Sequence, residues 1–85
     1  MIEMKKGMVV KSLAGHDKTQ LFVILDVDGE YVYLADGKCR SVDKPKRKKK
    51  KHVQQTNYIY ESICQSERIE DSSIRKLLKS IVARM

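Results

Sequence analysis

The chain has 85 residues and contains no tryptophan, one phenylalanine, one proline and two cysteines. With so few large rings, the core has to be built from Val, Ile, Leu and the four tyrosines. Cys39 and Cys64 are far apart and form no CxxC pair, which disfavours a disulfide framework and a zinc site. The sequence lacks the apolar segment of a signal peptide and any apolar run long enough to span a bilayer. We therefore expect a cytoplasmic protein with no membrane partner.

Positive charge is abundant and unevenly distributed. The net charge is +7, and residues 1–53 carry thirteen Lys and Arg against seven Asp and Glu. The stretch KPKRKKKKH, residues 44–52, holds seven of these cations in nine positions. Such a block favours binding to a polyanion. Taken alone, it is compatible with a nucleic-acid backbone, an anionic membrane, or a solvated segment with no fixed partner.

The first part of the chain is predicted to be β-structure. The run LFVILDV, residues 21–27, is typical of a strand that is buried on both faces. The Asp-Gly pairs at residues 28–29 and 36–37 each predict a tight hairpin turn, leading into EYVYLAD and KCRSV respectively. With GMVVKSLAG in front and a closing strand in KKKHVQQT, where Val53 points inward, about five strands can form a small barrel.

The basic stretch itself is predicted to be a loop. Pro45 disfavours a regular strand through residues 44–46, because proline cannot donate a hydrogen bond to a β-ladder. The barrel is therefore expected to cover residues 5–56 and to include a basic loop at residues 44–52.

Residues 57–85 are predicted to form a helical extension. NYIYESIC is expected to be a short helix whose N-terminus is capped by Thr56 or Asn57. A longer amphipathic helix follows, because one apolar stripe recurs at helical spacing. The stripe consists of Ile74, Leu77, Leu78, Ile81, Val82 and Met85. We expect this helix to pack on the barrel or on the short helix. The alternatives are a groove on a partner and a membrane interface, and the absence of aromatic residues from the helix disfavours the membrane.

Two long stretches of the sequence resemble a known family. KGMVVKSLAGHDKTQLFVILDVDGEYVYLADGK resembles the KOW motif, with Gly15 in the place of the turn glycine and Thr19 where members often carry a second glycine. ADGKCRSVDKPKRKKKKHVQQT is similar to small bacterial KOW-domain RNA-binding proteins, which themselves resemble an archaeal and eukaryotic large-subunit ribosomal protein. The resemblance implies an SH3-like barrel and binding to RNA, above all ribosomal RNA.

The candidate RNA-binding residues lie in the loop after the first strand, in the segment after the second Asp-Gly pair, and in the basic stretch. Lysine and arginine that touch phosphates release counterions, which gives affinity without sequence preference. Gly15 also fits a plain turn glycine, and His52 also fits a structural role. The candidates are Gly15, His16, Lys18, Lys38, Arg40, Lys44, Lys46, Arg47, Lys48, Lys49, Lys50, Lys51 and His52.

Tyr31 and Tyr33 lie two residues apart, so their side chains share one face of a strand. They are able to stack on unpaired bases or to fill the core. Catalysis is not expected, since Asp26, Asp28 and Glu30 only bracket a hairpin turn and no nucleophile has an evident base. We expect no cofactor and no metal.

The sequence thus predicts a non-catalytic, ribosome-associated RNA-binding protein of mainly β structure with an α-helical tail. In addition, the C-terminal helix could contact a neighbouring ribosomal protein. The alternative function is a protein–protein adaptor that docks on RNA polymerase or on a ribosomal protein.

Overall fold

A computed structural model describes residues 4–13, 20–59 and 70–84, without the side chain of Arg84. In these ranges one antiparallel sheet of five strands is followed by a C-terminal helix, compatible with a small barrel-like fold. The strand order is β4-β3-β2-β1-β5, and a 3₁₀ turn at Lys50–His52 joins β4 to β5. The mainly β class with a helical tail is confirmed. The elements are β1 Met8–Ser12, β2 Leu21–Asp28, β3 Tyr31–Ala35, β4 Lys46–Lys49, β5 Val53–Ile59 and α1 Asp71–Arg84.

The sheet is packed on both faces, and β2 shows why. Its first four residues are all buried, so that alternate side chains enter two separate clusters, as the continuous apolar run predicted. The inner cluster consists of Met8, Val10, Phe22, Ile24, Val32, Leu34 and Val53. The outer cluster consists of Val9, Leu21, Val23 and Ala35 from the sheet and Ile74, Leu78 and Ile81 from α1. The amphipathic helix therefore docks on the sheet of its own chain.

The first Asp-Gly pair forms the predicted hairpin. Asp28 pairs with Tyr31, so the two-residue loop consists of Gly29 and Glu30 and starts one residue later than the dipeptide suggests. Gly29 has a φ of +59°, in the left-handed region that glycine adopts without strain.

The second Asp-Gly pair does not form a hairpin, and KCRSV is not a strand. The buried carboxylate of Asp36 instead accepts hydrogen bonds from the backbone N–H groups of Lys38 and Arg40, both at 2.9 Å. Gly37, at φ +79°, lies against the first turn of α1, where a Cβ would clash with the carbonyl oxygen of Asp71. The pair therefore shapes a loop that seats the helix.

The basic stretch is a strand and a turn, which corrects the predicted loop. β4 pairs with β3 from Tyr31↔Lys49 to Leu34↔Lys46. Pro45 lies just before Lys46, the first paired residue of β4, so it does not interrupt the ladder. Lysine is common on edge strands because it discourages pairing with other chains. The ladder to β3 outweighs the weak β-propensity of lysine.

Residues 57–59 are the end of β5 rather than the start of a helix. Thr56, the expected cap, donates its hydroxyl to the carbonyl oxygen of Val9 at 2.7 Å and accepts the N–H of Tyr58 at 3.2 Å. These bonds lie where the register between β1 and β5 shifts. The rest of the predicted short helix, including Ile63 and Cys64, lies outside the described residues. Val53 points inward as predicted.

Candidate nucleic-acid interface

The basic stretch is held in place along its length. β4 is hydrogen-bonded to β3, and beyond its end the Lys50 N–H donates to the carbonyl oxygen of Glu30 at 2.8 Å. At the far end of the 3₁₀ turn, the Leu13 N–H donates to the carbonyl oxygen of His52 at 2.9 Å. The cations therefore project from an ordered backbone rather than from a loose loop.

Alternation along β4 separates its four cations into two pairs. Lys46 and Lys48 stand opposite Leu34 and Val32, whose side chains belong to the inner cluster. Residues directly opposite each other in an antiparallel ladder share a face. Lys46 and Lys48 are therefore on the inner side of the sheet.

Lys48 connects the edge strand to β1. Its Nζ donates to Oγ of Ser12, a residue that is only 1% exposed. Burial lowers the pKa of Lys48 below its ordinary value of 10.5, and the nearby charge of Lys46 lowers it further. This lysine thus has a structural contact within the fold, and its predicted contact with RNA stays a prediction.

Arg47 and Lys49 project from the opposite, outer side, where both approach the ring of Tyr31. The guanidinium carbon of Arg47 lies 3.8 Å from the ring centroid of Tyr31, and Nζ of Lys49 lies 6.0 Å from it. Both distances are within the range of cation–π attraction. Tyr31 and Tyr33 are half-buried and stand opposite Lys49 and Arg47, so both rings belong to the outer face.

Two exposed carboxylates complete this part of the outer face. Asp26 stands opposite Tyr33, and Asp28 stands opposite Tyr31. Asp26 also accepts the N–H of Val27 at 2.9 Å. In the sequence these aspartates only bracket the hairpin turn, and counting outward from that turn places them beside the tyrosines. We call Asp26, Asp28, Tyr31, Tyr33, Arg47 and Lys49 the hairpin face.

The other candidate cations lie at three places. Lys44 is exposed just before β4, and Lys50 and Lys51 line a shallow depression beside the β2–β3 turn. Exposed Lys38 and Arg40 belong to the loop that Asp36 organises, and Lys38 shares a depression with Lys79 of α1. His52 is exposed at the end of the 3₁₀ turn. Three further candidates, Gly15, His16 and Lys18, lie outside the described residues.

The described parts of the chain show no second kind of site. Within residues 4–13, 20–59 and 70–84, no group of three His, Cys, Asp or Glu side chains could hold a metal ion. Cys39 is a free, exposed thiol. No helix in the same ranges is both long and apolar enough to cross a membrane. Neither protein-family models nor curated proteins match this chain.

Proposed function

We propose that this chain is a non-catalytic RNA-binding protein of the cytoplasm, built on an SH3-like barrel of the KOW type, and that its ligand is ribosomal RNA. The path of the chain supports the barrel: β1 to β4 form a meander, and after the 3₁₀ turn β5 returns to pair with β1. The observation that carries the function is the ordered basic stretch. A polyanion is the ligand that such a fixed row of cations attracts.

Five cations of the basic stretch are suited to phosphate contact. Lys46 and Lys48 face inward, whereas five others lie on the outer side, before β4 or in the 3₁₀ turn. Each phosphate neutralised on single-stranded nucleic acid contributes about −0.7 to the slope of log affinity against log salt. We therefore expect a slope near −3.5, or an affinity loss of about 100-fold between 50 and 200 mM salt. The five are Lys44, Arg47, Lys49, Lys50 and Lys51.

The test compares two triple variants of equal net charge. In the first, Lys49, Lys50 and Lys51 are replaced by serine; in the second, the exposed residues Lys5, Lys76 and Lys79 are replaced by serine. Binding to purified ribosomes is measured by co-sedimentation, and the salt slope by fluorescence anisotropy with labelled rRNA fragments. The first variant should lose co-sedimentation and reduce the slope to about −1.4, whereas the second should keep both.

Two results would contradict the proposal. Equal losses in both variants would mean that only net charge matters, and no defined surface binds RNA. Undiminished co-sedimentation of the first variant would mean that the ribosome contact does not use the basic stretch, which would favour a protein–protein adaptor.

A further inference from the structure

The hairpin face repeats one arrangement of side chains twice. Across β2, β3 and β4, the ladder aligns Asp28, Tyr31 and Lys49 in one row. Two residues away it aligns Asp26, Tyr33 and Arg47 in a second row. In backbone register, each row therefore runs from an acidic residue through a tyrosine to a basic residue, and the side chain of Arg47 reaches across to lie over Tyr31 of the first row.

The dimensions of the two rows suit a short piece of nucleic acid. Neighbouring strands are about 4.8 Å apart, so the backbone positions of the carboxylate and the cation in one row are about 10 Å apart. This distance is comparable to the reach of one nucleotide from its phosphate to the edge of its base. The rows are separated by two residues, or about 7 Å along the strands, which leaves room for one nucleotide in each.

Tyr31 and Arg47 provide a stacking surface. The guanidinium group lies on the ring at 3.8 Å, and Arg47 is exposed to solvent. Guanidinium is planar and weakly hydrated, and unpaired bases stack on arginine planes as well as on aromatic rings. A base placed on the outer side of Arg47 would extend the stack that Tyr31 begins.

The charges of the rows fix the direction of a bound nucleotide. Phosphates are attracted by Lys49 and Arg47 on β4 and repelled by Asp26 and Asp28 on β2. Carboxylates accept hydrogen bonds, so they favour base edges that donate. The Watson–Crick edge of guanine offers N1–H and the N2 amino group, whereas that of uracil offers one N–H between two carbonyl oxygens.

We infer that the hairpin face binds two adjacent unpaired nucleotides and prefers guanine over uracil; this rests on the proposed RNA binding. The phosphates follow β4, the bases lie over Tyr31, Arg47 and Tyr33, and the base edges meet Asp26 and Asp28. A double helix is not accepted here, because its bases are already stacked and their Watson–Crick edges are paired. The phosphate contacts of the basic stretch then supply affinity, and the hairpin face selects single strands.

The probes for this inference are three fluorescein-labelled RNAs, measured by anisotropy with the wild-type protein. The first is an adenine decamer with two central guanines, the second has two central uracils, and the third is the guanine strand in a duplex. We expect the guanine strand to bind about tenfold more tightly than the duplex, as base stacking adds to affinity. It should bind at least about fivefold more tightly than the uracil strand.

Two double variants separate base stacking from recognition of the base edges: one changes both tyrosines and the other changes both aspartates of the hairpin face. Replacing Tyr31 and Tyr33 by leucine should reduce single-strand affinity about tenfold and leave duplex affinity unchanged. Replacing both by phenylalanine is the matched control, which keeps the rings and should keep the affinity. Thermal unfolding followed by circular dichroism confirms that each variant is folded at the assay temperature.

The variant Asp26→Asn with Asp28→Asn should abolish the preference for guanine and raise the affinity for the uracil strand, because the repulsion of phosphates is reduced. Asp43→Asn with Glu70→Gln changes two exposed acidic residues elsewhere and gives the same net charge. This control should keep the preference for guanine.

The outcomes distinguish this inference from the proposed function. Suppose that the leucine and asparagine variants leave the preference for single-stranded RNA and for guanine unchanged while the salt slope persists. Nucleotide binding by the hairpin face is then refuted, and RNA binding through the basic stretch stands. If neither the oligonucleotides nor ribosomes bind the wild-type protein at low salt, both proposals are refuted.

Discussion

The outer face of the sheet consists of two regions with opposite character. Over Val9, Leu21 and Val23 it is apolar and covered by α1, whereas the hairpin face carries charges and tyrosines and is not part of that packed cluster. One sheet thus contributes a second core layer at one end and a candidate binding surface at the other. The position of the helix decides which residues remain accessible to a ligand.

The change of character occurs within β2. Its outer residues are apolar up to Leu25 and acidic from Asp26 onward, and the register of the β2–β3 ladder shifts between Ile24 and Asp26. A bulge adds a residue to one strand and resets which side chains face each side. Here it keeps Ile24 and Val27 on the inner side while Asp26 and Asp28 turn outward. The boundary between the two regions is therefore encoded by the bulge.

The largest effect is expected from removing an apolar side chain of the covered region. Ile74 of α1 is fully buried in the outer cluster, so Ile74→Ala should lower the free energy of unfolding by about 2–5 kcal/mol. Chemical denaturation measures this loss. Val82, on the same helix but 60% exposed, is the control, and Val82→Ala should change it by less than about 0.5 kcal/mol. Equal small losses in both would show that α1 does not cover the sheet in solution.

The two Asp-Gly pairs provide the next test, since only one of them seats the helix. Gly37→Ala should cost about 2–4 kcal/mol, because a Cβ at φ +79° would also meet the carbonyl oxygen of Asp71 and the side chain of Arg75. Gly29→Ala has no neighbour within 4 Å and should cost only about 1 kcal/mol for its positive φ. Thermal midpoints should differ accordingly, by about 4–8 °C per kcal/mol for a chain of this size. Equal midpoints would contradict the close contact between the Gly37 loop and α1.

The sequence predicted those elements whose conformation is determined by residues that are neighbours in the chain. The apolar run of β2 requires burial on both faces, and Asp28-Gly29 turns a hairpin without outside help. Gly37 carries the same dipeptide signal, but its role depends on α1, more than thirty residues later in the chain. No local pattern reveals such a contact, so the predicted second hairpin was wrong.

The candidate site was predictable in composition but not in arrangement. The lysine run was visible, yet whether a given lysine faces inward or outward depends on the register of β4 against β3. In this register Lys48 is opposite Val32 and Lys46 is opposite Leu34. Unless β4 is known to be a strand, the sequence does not show that Lys48 and Lys49 point to opposite faces of a sheet. The pairing of Asp26 and Asp28 with the tyrosines follows from counting outward from the hairpin turn, whereas the change of face between Ile24 and Asp26 depends on a bulge that the sequence does not show.

A smaller effect separates two adjacent lysines. Lys48→Met keeps a side chain of similar length but removes the hydrogen bond to Ser12, so the free energy of unfolding should fall by about 1 kcal/mol. Lys49→Met should leave stability within about 0.5 kcal/mol and instead reduce the slope of RNA binding against salt by about 0.7. Denaturation and anisotropy on the same samples measure both. A pair of variants with identical profiles would contradict the inward and outward assignment.

The smallest effect is a pH dependence that belongs to Lys48. Burial, and then the charge of Lys46, lowers its pKa in the folded protein below the value of 10.5 for the unfolded chain. Between these two values the unfolded state binds more protons, so raising the pH through this window stabilises the folded state. Below the window, the ammonium group is fully charged, and the cost of its partial desolvation offsets part of the stabilisation by the hydrogen bond to Ser12. The stability of the wild type relative to Lys48→Met should therefore increase from pH 7.5 to pH 10, as measured by urea midpoints of both proteins. The difference between the two proteins isolates this lysine, because the other titrating groups are common to both. A difference that stays constant or shrinks with pH would mean that the pKa of Lys48 is not lowered in the folded protein.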